Sequence, residues 1–64
     1  MPKVRRGGYV FLVWKGDHSP RHVHVYRGGL FVLKWDLDGH KPMAGRPSRR
    51  VVELIRQLES EGLL

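Results

Sequence analysis

The sequence predicts a small α+β domain: a three-stranded antiparallel meander with one C-terminal helix packed on one face, in the order β-β-β-α. Three observations predict it. Runs rich in β-branched and aromatic residues, "YVFLVW", "HVHVY" and "LFVLKWDL", fill the first half, each about a strand long and set off by glycines. Gly28-Gly29, between the second and third runs, suits a two-residue hairpin turn. In the second half Val51, Leu54, Ile55 and Leu58 fall at i, i+3, i+4 and i+7, the apolar stripe of a helix that lies on a sheet.

The first strand, Tyr9 to Trp14, is apolar on both faces. Either Tyr9, Phe11 and Val13 or Val10, Leu12 and Trp14 must therefore lie on the side the helix leaves bare. An uncovered apolar face calls for another chain, a terminal segment or a ligand, and a homodimer through this strand is the simplest form. In the second strand Val23 and Val25 alternate with His22, His24 and Tyr26; in the third, Phe31, Leu33, Trp35 and Leu37 alternate with Lys34 and Asp36. The apolar set faces the helix and the histidines face away. Residues 39–47, "GHKPMAGRP", read as a loop, and Ser48 caps a helix over about residues 48–61. The predicted core is Val23, Val25, Phe31, Leu33, Trp35, Val51, Leu54, Ile55 and Leu58, with the sheet over about residues 8–38. One domain, 1–64, is expected, because a chain this short buries only about 60% of the surface its unfolded form exposes.

With no cysteine, disulfides and thiolate metal ligands are excluded, and a reducing cytoplasm fits. The longest apolar run is far below the roughly 20 residues that cross a bilayer, and no signal-peptide pattern precedes it, so a soluble, unprocessed chain off the membrane is expected. Twelve Lys and Arg against six Asp and Glu give a net charge of +6, which favours a polyanion. Nucleic acid, DNA or RNA, is the first candidate partner and an acidic cognate protein the second. The candidate phosphate contacts are Arg21, Arg27 and Lys34 on the sheet and Arg46, Arg49 and Arg50 at the helix start. Cations in a first helical turn oppose the helix dipole, so this arginine cluster beside free backbone N–H groups suits a phosphate or carboxylate, with Glu53 offsetting part of the charge.

The stretch "GDHSPRHVHVYRGG" holds three of the four histidines. His22 and His24 at i and i+2 point the same way, and His18 sits at the preceding bend, so the three could converge on Zn²⁺ with Asp17 or Asp36 orienting a ring. No metal or other cofactor is favoured, because a structural zinc site wants four ligands and no fourth is evident. Without a metal, His22 and His24 beside Arg21 or Arg27 could serve as acid and base in cleaving RNA through its 2′-hydroxyl. They could equally be solvated side chains on a strand face, with Asp17 and His18 fixing the turn at Ser19-Pro20.

The run "GGYVFLVWKGDHSPRHVHV", followed by a strand with an acidic end and by "RPSRR" opening an amphipathic helix, resembles a small prokaryotic family known only as a domain of unknown function. Its hallmark is an Asp-His-x-Pro-x-His-x-His segment, matched here by Asp17, His18, Pro20, His22 and His24. The resemblance covers nearly the whole chain, and the histidine segment is its specific part. It implies a place in toxin-antitoxin-like gene pairs, without a defined activity. Members of that family commonly continue past the helix with a further acidic, aromatic-containing tail, and this sequence departs from that pattern by stopping at Leu64. The combined expectation is a component of a toxin-antitoxin-like or regulatory module that binds nucleic acid. A metal-independent ribonuclease toxin and a protein-interaction module are the alternatives.

Overall fold

Two Gly-Gly pairs turn the chain back on itself. Gly7 and Gly8 have φ of 60° and 83°, Gly28 and Gly29 have 58° and 78°, and a two-residue hairpin of the type that matches strand twist requires positive φ at both positions. The computed structural model describes residues 3–14 and 21–64, with Trp14 by its backbone alone. Its elements are β1 (Lys3–Arg6), β2 (Tyr9–Trp14), β3 (His22–Arg27), β4 (Leu30–Asp36), β5 (Lys41–Gly45) and α1 (Arg49–Ser60). Each strand pairs antiparallel with the next, giving one sheet in the order β1-β2-β3-β4-β5. The fold is α+β with a C-terminal helix, but the meander has five strands rather than three.

Both added strands are edges that sequence reasoning passes over. β1, "KVRR", carries a single apolar residue, yet Gly7-Gly8 returns it onto β2 with Val4 opposite Phe11. Its Arg6 reaches the end of α1, where the guanidinium donates to both carboxylate oxygens of Glu61 at 2.6 and 2.8 Å. β5 occupies most of the span expected as a loop. It is exposed throughout and contains Pro42, which an edge strand tolerates because one side of its backbone needs no ladder partner. Gly45, at φ 83°, ends it where the chain passes so close to β4 that a Cβ would run into the Val32 carbonyl. Between β4 and β5 the turn is held by Asp36, 5% exposed, whose Oδ1 accepts from the amides of Asp38 and Gly39 at 2.9 and 2.8 Å.

The core lies between one sheet face and α1. It comprises Phe11, Val13, Val23, Val25, Leu33, Trp35 and Leu37 from the sheet side and Val51, Leu54, Ile55 and Leu58 from the helix. The i, i+3, i+4, i+7 stripe is therefore the buried one, as its spacing predicts. Ser48 caps the helix through its Oγ, which accepts from the Val51 amide at 3.1 Å. At the other end Gly62, φ 77°, lets its amide reach the Glu59 carbonyl and the Leu63 amide reach that of Leu58, a Schellman closure.

Phe31 departs from the predicted core. The β3–β4 register shifts between Val25 and Tyr26, so Val25 opposes Leu33 while Tyr26 opposes Phe31, and Val32 is the extra residue. One extra residue inverts the alternation, and Phe31 points away from the helix, 48% exposed. For β2 the open choice of face is settled: Phe11 and Val13 are fully buried under the helix, leaving Val10 and Leu12 half-buried on the far side.

Candidate functional site

The face of the sheet opposite α1 is the surface on which the chemistry-bearing strand residues gather. Strand pairing lays them out in three cross-strand rows. The first runs Arg5, Val10, Tyr26, Phe31. The second runs Lys3, Leu12, His24, Lys34, Ala44, and the third holds His22, Asp36 and Lys41. Because side chains alternate along a strand, these positions share one side of the pleat. Among the described residues this face carries no exposed carboxylate. Asp36 is buried and turned to the β4–β5 amides, so it does not take the ring-orienting role the sequence allowed it.

His22 and His24 lie side by side, ring centroids 5.1 Å apart and planes at 79°. Both are half-buried. Burial, with the charges of His22 and Lys34 adding to it, holds the His24 imidazole below its ordinary pKa and so favours the neutral ring. Asp17, His18 and Pro20 of the histidine segment lie outside the described residues, and among the described residues no three His, Asp or Glu side chains come together to hold a metal ion. At the hairpin end of the face, Tyr26 and Phe31 meet edge to face, centroids 6.0 Å apart at 76°.

The six predicted phosphate contacts do not form one surface. Lys34 is on the open face, opposite His24. Arg21 stands at the entrance to β3, where its amide and Nε donate to the Asp38 carboxylate at 2.9 and 3.1 Å. Those two hydrogen bonds, the backbone one foremost, hold the Asp38 carboxyl below its usual range. Arg27 falls on the helix side of the sheet and lies over the Tyr9 ring, 5.3 Å from its centroid. Arg46, Arg49 and Arg50 are exposed around the start of α1, with Arg49 and Arg50 in its first turn and no acid among them. The basic residues that sequence reasoning missed are Lys3 and Arg5, placed on the open face by β1, and Lys41, placed there by β5. Gly7-Gly8 was the available signal, since it repeats the turn chemistry of Gly28-Gly29.

No family model, curated protein or solved structure matches the chain. No helix among the described residues is long and apolar enough to cross a membrane.

Proposed function

We propose that this chain is a nucleic-acid-binding component of a cytoplasmic toxin-antitoxin-like or regulatory module, and that the open sheet face is its binding surface. The observation that carries the reading is the composition of that face: Lys3, Arg5 and Lys34 around His24, Tyr26 and Phe31, with no exposed carboxylate among the described residues. Cations attract a polyanion wherever they sit, but cations interleaved with aromatic rings can hold phosphates and base faces together. Of the acidic groups of known position, Asp36 is in the third row but buried and turned to the β4–β5 amides, and the others are at the β4–β5 turn and on or beside α1.

Fluorescence anisotropy with labelled mixed-sequence oligonucleotides, titrated with salt, tests this. Three phosphate contacts on a single strand give log K a slope of about −2 against log salt, at about 0.7 per contact. Lys34→Ala and Arg5→Ala should each flatten it by about one contact. A slope that responds to Arg49→Ala and Arg50→Ala instead would move the surface to the helix start. Absence of binding at about 50 mM salt, where non-specific attraction is already strong, would leave a protein partner in its place.

The paired histidines favour a second reading, a metal-independent ribonuclease. Two imidazoles in contact, one biased to the neutral form, match the needs of a base for the 2′-hydroxyl and an acid for the leaving 5′-oxygen. Incubating the protein with single-stranded RNA in the presence of a chelator decides it. Cleavage to 2′,3′-cyclic ends that is lost in His22→Ala and His24→Ala establishes catalysis, and RNA left intact across pH 5 to 8 removes it.

A further inference from the structure

We infer that the open face selects single-stranded nucleic acid, stacking an unpaired base on the Tyr26–Phe31 ring pair while Lys34, Lys3 and Arg5 hold neighbouring phosphates. The inference rests on the nucleic-acid reading and adds to it the form of the ligand and the mode of contact. Its basis is the bulge in β4. Regular alternation would send Phe31 to the core with Leu33 and Trp35. The extra residue at Val32 instead turns Phe31 outward, beside Tyr26, with nearly half its surface in water. Bulges re-aim side chains, and this one exchanges a core position for an exposed aromatic pair.

The exposed ring pair argues against a duplex. Bases in a duplex are stacked and paired, so they show the protein their edges rather than their faces. A single strand can splay its bases, so that one lies on the ring pair while the backbone passes along the second row. Lys34 is in that row, on the same strand as Phe31, and Lys3 is at its far end beyond Leu12 and His24. Arg5 closes the first row on the side away from Phe31. Positive groups thus lie at the β1 end of the ring row and in the row beside it, which fits a polyanion laid along the second row.

The experiment measures anisotropy of the full chain with single-stranded RNA, single-stranded DNA and a duplex of equal length and mixed sequence. Single strands should bind more tightly than the duplex. Phe31→Ala should weaken single-strand binding by about 5- to 150-fold, the range for losing one base–aromatic stack, with the salt slope unchanged. Phe31→Trp should restore it. Leu30→Ala is the control, since Leu30 is 73% exposed at the same hairpin tip but falls on the opposite side of the sheet. Thermal melts confirm that each variant is folded. Tight binding of either sugar supports the proposal, and a preference between them reports contact with the 2′-hydroxyl. Duplex binding as tight as single-strand binding, with Phe31→Ala silent, overturns the stacking mode while leaving nucleic-acid binding intact. No binding to any oligonucleotide overturns both.

Discussion

Phe31 and Leu33 are two residues apart on β4, and ordinary alternation would make them equivalent. The structure makes them opposites: Leu33 is fully buried under α1 and Phe31 is 48% exposed on the far face. Truncating a buried leucine removes its transfer free energy and leaves a cavity, so Leu33→Ala should cost about 2–5 kcal/mol. For Phe31 about half of the 1.5–3 kcal/mol available from full burial is at stake, and no sealed cavity remains, so Phe31→Ala should cost about 1 kcal/mol. The assay is urea unfolding followed by tryptophan emission, because Trp35 is 7% exposed and should shift red as the core opens. With m near 1–3 kcal/mol/M, a 1 kcal/mol loss lowers the midpoint by about 0.3–1 M, and a loss of 2–5 kcal/mol can remove the folded baseline of so small a domain. Leu33→Met, a near-isosteric change, keeps a measurable transition in that event. Equal destabilisation by Phe31→Ala and Leu33→Ala would make Phe31 a core residue and remove the bulge from β4.

Three further outcomes follow from local geometry. Ser48→Ala removes the oxygen that accepts from the Val51 amide and should lower stability by about 1 kcal/mol in the same assay, with Ser48→Asp retaining most of it. Gly45→Ala combines positive φ with a collision on the Val32 carbonyl, so it should strip β5 from the sheet, read as faster amide exchange over residues 41–45. His24 has its pKa lowered in the folded state, so the unfolded chain binds the proton more readily. Stability should therefore be full above about pH 6.5, the ordinary imidazole value, and fall as pH drops toward the lower folded pKa. Denaturation midpoints at pH 7.5 and 5 compared with those of His24→Gln isolate this contribution, and an equal pH dependence in the variant would assign it to other groups.

Legibility from sequence followed the strength of the pattern. The helix was legible because four apolar residues at one spacing, a serine cap and a terminal glycine all agree on its limits. β3 and the lower half of β4 were legible because Val23, Val25, Leu33 and Trp35 repeat with period two. β1 and β5 were not, since edge strands bury little and so need little apolar periodicity: Val4 is the single apolar residue of one, and the other carries a proline and is exposed throughout. The bulge was invisible because "LFVLKWD" reads as regular alternation from Phe31 just as well as from Leu33, and only the pairing with Tyr26 separates the two. The same blind spot hid the aromatic pair of the candidate site, and the missing β1 hid its two cations.

The half-buried Val10 and Leu12 bear on the expectation of a homodimer through the first strand. In a two-fold dimer the same patch meets itself, so each charge on it faces the patch's own charges. Lys3, Arg5, Lys34 and Lys41 would then be brought toward one another with no exposed carboxylate, among the described residues of the face, to receive them. Like charges facing across an interface oppose association unless counter-ions enter with them. A polyanion removes that penalty: its phosphates meet the cations, and its base faces cover the apolar and aromatic middle of the rows. Half-buried valine and leucine lie between cations that meet no exposed carboxylate among the described residues of the face, and these features match a nucleic-acid strand better than a second copy of the chain. Sedimentation in dilute and in high salt separates the two. A dimer held by this face should strengthen as salt screens the repulsion, whereas binding of an oligonucleotide should weaken as salt competes for its phosphates.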